Sequence, residues 1–226
     1  MSECYLISHM PKGLTCLSEL RVLKGFVIGK QRSKGHYCKL ADLAVLQHLK
    51  KLSIHVDKTE DTEQDLHSLP QFGNLRSLSV AWSSIYNAPI PTTTNVALAK
   101  FQEIMSPPIS TRTMGSSPHV ALDKLGLQNF RGPEMPAWLS PLNLKELKKL
   151  YIRGGEISDL RIKDRSWPVN RLRLKSLSQL RMDWKELQLL FPNLTYVEKV
   201  DCPQLSSFPC DKNGEWIHPE ADTEQA

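Results

Sequence analysis

LTCLSELRVLKGFVI (14–28), LADLAVLQHLKKLSI (40–54) and LHSLPQFGNLRSLSV (66–80) decide the fold. Leu14, Leu17, Leu20, Leu23, Phe26 and Ile28 form an apolar series. Adding 26 gives Leu40, Leu43, Leu46, Leu49, Leu52 and Ile54, and adding 26 again gives Leu66, Leu69, Phe72, Leu75, Leu78 and Val80. Every position in the three series is large and apolar, so the period is an internal repeat.

Each unit reads L-x-x-L-x-x-L-x-x-L-x-x-L-x-L. A three-residue period suits a tight helical or 3-10 turn, in which every third side chain eclipses. A closing two-residue alternation suits a short strand. One unit cannot bury its own leucines, whereas stacked units bury them in a continuous ladder. The predicted class is α/β: a leucine-rich-repeat solenoid, with a curved parallel sheet on the concave face and short helical or 3-10 turns on the convex face. An amphipathic helical array is disfavoured, because its apolar positions drift at 3.6-residue spacing.

Residues 1–13 read as a lead-in with a weak or absent cap, and 14–210 as the repeat domain. The strict period lapses over about 83–118, which is rich in Pro, Ser and Thr and reads as an insertion loop. Inside it Leu98, Phe101 and Ile104 keep three-residue spacing. The ladder resumes at Leu122, Leu125 and Leu127, then at Leu144, Leu147, Leu150 and Ile152. Leu174, Leu177, Leu180 and Met182 follow, then Leu194, Val197, Val200, Cys202, Leu205 and Phe208, whose register is open. The polar tail 211–226 is expected to fray.

The net charge of +5 and pI near 8.9 permit contact with nucleic acid without arguing for it. Five cysteines, an odd number with no C-x-x-C spacing, suit free thiols in a reducing compartment. No apolar run is long enough for a membrane span, and the N-terminus lacks a secretory signal pattern. The expected address is the cytosol, with nuclear access open.

MPKGLTCLSELRVLKGFVIGK (10–30) resembles the segment that opens the repeat region of plant coiled-coil nucleotide-binding leucine-rich-repeat disease-resistance proteins. MPAWLSPLNLKELKKLYIRGG (135–155) is similar to their P-x-W-L unit, and FPNLTYVEKVDCPQLSSFPCDKNGEW (191–216) to their closing C-P-x-L-x-x-F-P repeat. The resemblance is to the sensor half of such a receptor. It implies a recognition role in defence and protein partners: a pathogen effector, a host target or a receptor nucleotide-binding domain. The phosphate-loop pattern G-x-x-x-x-G-K-[ST] does not occur here. Nucleotide binding is therefore not carried over, and no cofactor is expected.

Between the inward leucines of each strand, the intervening residues point outward. That gives one exposed column of Val27, Ser53, Ser79, Gly126, Tyr151 and Arg181. The next is Gly29, His55, Ala81, Gln128, Arg153 and Asp183, flanked by Trp82 and Trp184. Arg, Tyr and Trp are enriched at binding hot spots. A partner is therefore expected near Tyr151, Arg153, Arg181 and Trp184. Trp138, in P-A-W-L, reads as a packing residue of the convex turn.

Arg161, Lys163, Arg165, Arg171, Arg173 and Lys175 read as a basic cluster between strands, which offers a second reading as a weak nucleic-acid site. Without interleaved aromatic residues, nucleic acid is the less favoured partner. The acidic stretch DKTEDTEQD (57–65) lacks the glycine of a calcium loop. No histidine stands at metal-ligand spacing from Cys or His, and no nucleophile motif occurs. Neither a metal site nor catalysis is expected. A further alternative is a receptor fragment that does not signal.

Overall fold

The computed structural model describes residues 10–28, 37–56, 65–83, 121–136, 138, 139, 141, 143–162, 165–205 and 207–219. The insertion at 83–118 beyond Ser83, the acidic stretch before Asp65, Gly29 and Lys163 lie outside them.

Eight strands form one sheet in chain order: β1 (Val22–Ile28), β2 (Lys51–Val56), β3 (Ser77–Trp82), β4 (Lys124–Phe130), β5 (Lys149–Gly155), β6 (Arg171–Lys175), β7 (Tyr196–Val200) and β8 (Glu215–Ile217). Pairing is parallel from β1 through β7 and antiparallel between β7 and β8. Lys12–Cys16, Ala41–Val45 and Leu69–Gln71 are 3-10 turns preceding β1, β2 and β3. Eclipsed side chains at i and i+3 are what the L-x-x-L spacing requires of such turns. This is a leucine-rich-repeat solenoid, as the periodicity predicts.

The inward columns are apolar. Leu23, Leu52, Leu78, Leu125, Leu150, Leu172 and Val197 pair in succession, beside Phe26, Ile54, Val80, Leu127, Ile152 and Leu174. All are buried in one continuous core with the turn leucines, such as Leu43, Leu75, Leu122 and Leu147. Trp167 is fully buried there; its indole donates to the Leu160 carbonyl (3.3 Å) and its ring stacks on Phe191 at 6.5 Å. Trp138 packs half-buried against this core, as expected of a turn residue.

The register corrects the sequence reading in four places. The first unit is displaced: Leu23 pairs with Leu52, a step of 29 residues, whereas Leu52 to Leu78 is 26. A ladder repeating every third residue matches itself after any shift of three, so apolar spacing cannot reveal its phase. A register shift between Leu23 and Phe26, with Gly25 at φ +79°, then sets Val27 beside His55 rather than in the Ser53 column.

The sixth strand is the second correction. It is Arg171–Lys175, not the segment around Leu180 and Met182, which are buried outside any strand. The strand was hidden because Leu180-x-Met182 shows the same alternation as Leu172-x-Leu174.

Third, Trp82 pairs with inward Val56 and packs half-buried against the core, with its ring edge-on to Phe130 at 4.8 Å; it does not flank an outward column. Fourth, the tail does not fray at its start, because 215–217 add β8 to the sheet.

Candidate outward face of the sheet

Three outward columns cross the sheet. One runs Lys51, Ser77, Lys124, Lys149, Arg171 and Tyr196. The next runs Ser53, Ser79, Gly126, Tyr151, Arg173 and Glu198, and the third His55, Ala81, Gln128, Arg153, Lys175 and Val200. The expected columns therefore hold from β2 through β5. On β6 the places assigned to Arg181 and Asp183 belong to Arg173 and Lys175.

Arg181, Asp183 and Trp184 lie off this face. The Arg181 amide donates to the Ser158 carbonyl at 3.2 Å. Asp183 caps α1 (Trp184–Leu190) through a capping box: the Glu186 amide donates to Asp183 Oδ1 (2.7 Å), and the Asp183 amide to Glu186 Oε2 (3.0 Å). Trp184 packs edge-on to Trp216 (4.7 Å) and Phe208 (5.4 Å).

The basic cluster divides likewise. Arg171, Arg173 and Lys175 are outward residues of β6. Arg161 instead grips Asp159, with Nη2 at 2.7 Å from Oδ2, and these hydrogen bonds hold the Asp159 carboxyl below its usual range. Arg165 is exposed beside Ile162.

At the centre of the face is a shallow groove of about 330 Å³. Ser77, Ser79 and Gly126 form a low floor, and Tyr151, Arg173 and Glu198 rise on the far side. The Tyr151 ring is held between two cations: Lys124 Nζ from β4 at 4.4 Å from its centroid and the Arg173 guanidinium from β6 at 5.0 Å. Arg173 also pairs with Glu198 (Nε to Oε2, 2.6 Å). Burial by itself would lower the Arg173 pKa, but the Glu198 carboxylate, with Tyr151 and Tyr196 nearby, reverses this and raises it.

Tyr196 donates to Glu215 Oε1 at 2.8 Å, and Arg171 lies 4.8 Å from its ring. Burial, then the hydrogen bond to Glu215 and the charge of Glu198, push its phenol up to about 12. Tyr151, Arg173, Tyr196 and their partners thus form one interlocked wall.

Lys124, Lys149, Glu198 and Tyr196 escaped the sequence reading. A signal for the cations existed: Lys51, Lys124, Lys149 and Arg171 each immediately precede Leu-x-Ile or Leu-x-Leu. That local pattern marks the start of β2, β4, β5 and β6 and separates the true sixth strand from the turn leucines after it.

Among the described residues, no group of three His, Cys, Asp or Glu is placed to hold a metal. Burial, followed by the Asp42 charge, pushes the Cys38 thiol up to about 11, and burial likewise raises Cys202, which disfavours their thiolates. No helix among the described residues is long and apolar enough to cross a membrane.

Fold and face together define the class: a leucine-rich-repeat solenoid presenting a basic, tyrosine-centred sheet surface. The chain is similar to disease resistance RPP13-like protein 4 of Arabidopsis thaliana, with 29% identity over 227 aligned residues covering 96% of this chain and 24% of that protein. It thus spans about a quarter of the length of this curated relative. No family model matches it.

Proposed function

We propose that the chain is a non-catalytic recognition module with a defence-related role, which binds a protein through the outward face of β4–β6. The observation that carries this reading is the groove beside Tyr151, walled by Tyr and Arg side chains that the sheet holds in place. Pre-ordered aromatic and guanidinium groups lose little freedom on binding, which is why such groups become hot spots. The whole-chain similarity to a disease-resistance protein supports the defence setting. An effector, a host target and a nucleotide-binding domain of a receptor are the partner types in view.

Site-specific photocrosslinking in plant cells tests the reading. A crosslinker at exposed Gln128, on the groove rim, is expected to capture a discrete protein. One at Val45, 63% exposed on a turn, is expected to capture none. Changing Tyr151, Arg153 and Lys175 together to Ala should abolish the Gln128 product without unfolding the chain. Equal capture from both positions, or a product that survives the triple change, would overturn it.

A further inference from the structure

The outward face of β4–β6 carries two rows of like charge. Lys124, Lys149 and Arg171 stand side by side on adjacent strands, as do Arg153 and Lys175 in the other row. Adjacent strands are about 4.8 Å apart, so each row sets cations beside cations, an arrangement that costs stability. Among the described residues, Lys149, Arg171, Arg153 and Lys175 form no ion pair. Of the acids beside this face, Glu198 pairs with Arg173, Asp123 with Lys148, and Glu215 accepts from Tyr196. The face thus has unmatched positive charge in a fixed pattern.

Lys149 and Arg153 lie four residues apart on β5, so the rows are separated by about 13 Å along the strand. An extended peptide covers the same distance in four residues. Between the rows stand Tyr151 on β5 and Arg173 on β6, and beside them the groove opens on β4, where Gly126 has no side chain. The aromatic rings favour a peptide over single-stranded nucleic acid, which needs open ring faces for base stacking. Tyr151 is already flanked by Lys124 and Arg173, and Tyr196 lies against Arg171 and Arg173.

We infer that this face docks an acidic peptide segment lying extended along β5. Two acidic residues, four positions apart, meet Lys149 and Arg171 at one end and Arg153 and Lys175 at the other. A side chain between them passes beside the Tyr151 ring into the groove over Gly126 on β4. The inference rests on reading this face as the interaction surface, and it names the chemistry of the partner.

Fluorescence anisotropy of the full chain with short labelled peptides tests it. The probe carries two Glu residues four positions apart in a Ser/Thr/Val background. Control peptides place the Glu residues adjacent or replace them with Lys, and a single-stranded RNA of equal length is the third control. The spaced acidic peptide is expected to bind tightest. Arg153→Glu with Lys175→Glu, and separately Lys149→Glu with Arg171→Glu, should each weaken it about tenfold or more.

The Lys peptide should regain affinity for the reversed variants. Gly126→Thr leaves every charge in place and fills the groove, so it should also weaken binding. Its new Cβ would lie 3.4 Å from the Ser79 hydroxyl, a contact a side chain can relieve. Circular dichroism confirms folding of each variant. Affinity indifferent to Glu spacing, affinity unchanged by both reversals, or tighter binding of RNA would overturn the inference. A cellular crosslink from Gln128 that survives both reversals would overturn it too, while leaving the interaction surface itself standing.

Discussion

Lys199 pairs with Leu174, in the inward column that Ile54, Val80, Leu127 and Ile152 fill on earlier strands. Its ammonium donates to the Leu205 carbonyl at 2.8 Å and lies 6.0 Å from the Phe208 ring, so the charge is met by a dipole and a π face. Its amide donates to the Gly214 carbonyl at 2.7 Å. A lysine in the ladder is therefore tolerated because Leu205 and residues 207–214 fold back over it and lead into β8.

Gly214→Ala tests this closure. Gly214 has φ +80°, and an added Cβ would strike the Lys199 backbone carbonyl oxygen. Positive φ alone costs about 1 kcal/mol for Ala, and a backbone clash cannot be relieved by turning a side chain. A loss above about 2 kcal/mol is expected in urea denaturation, with Trp216 fluorescence shifting to the red as β8 detaches. Unchanged stability would mean that β8 does not close the sheet.

Leu150 is fully buried at the centre of the ladder, and Leu150→Ala is expected to cost about 2–5 kcal/mol. Val45, at the same kind of repeat but exposed on its turn, should tolerate Ala within about 0.5 kcal/mol. Chemical denaturation of both variants measures the difference directly.

What the sequence made legible follows from period. The two-residue alternation of Leu52-x-Ile54, Leu78-x-Val80, Leu125-x-Leu127 and Leu150-x-Ile152 is read the same way in sequence and structure, so Tyr151, Arg153 and Gln128 face outward as expected. The three-residue period of the turns carries no phase, which is why the first unit is displaced by three residues at Leu23, whereas Leu180-x-Met182 passes for a strand because it alternates as Leu172-x-Leu174 does. The cation pairs, the Tyr196–Glu215 bond and the groove over Gly126 depend on neighbours 19 or more residues distant or on side-chain direction, and no local pattern encodes them.

Asp183 acts in the fold rather than on the sheet surface. Asp183→Ala removes the acceptor of the Glu186 amide and half of the capping box. The expected cost is about 1 kcal/mol, with no change in binding at the β4–β6 face. Denaturation beside the anisotropy assay separates the two effects.

Tyr196 gives the fold an alkaline sensitivity. Its phenol is raised from 10 to about 12, so the folded chain holds this proton more tightly than the unfolded chain. The resulting stability is complete below pH 10 and is lost as pH rises toward about 12. Tyr196→Phe should flatten that part of the stability profile. Ultraviolet titration of phenolate in both proteins checks it; a Tyr196 that ionises near the ordinary phenol value of 10 would refute the assignment.

The like-charge rows make opposite predictions for stability and for binding. Neutralising Lys149→Gln and Lys175→Gln removes one cation from each row while keeping the polar side chains. An ordinary solvated surface would respond little in either property. Repulsion between adjacent strands instead predicts that each change stabilises the chain by about 0.2–1 kcal/mol at low salt. The gain should vanish in about 1 M salt, where screening acts within about 3 Å. Affinity for the spaced acidic peptide should fall in the same variants. Urea midpoints at both salt concentrations, beside anisotropy, measure the trade. Stability that falls or stays level at low salt would show that the rows are not strained, and that binding has no stored repulsion to relieve.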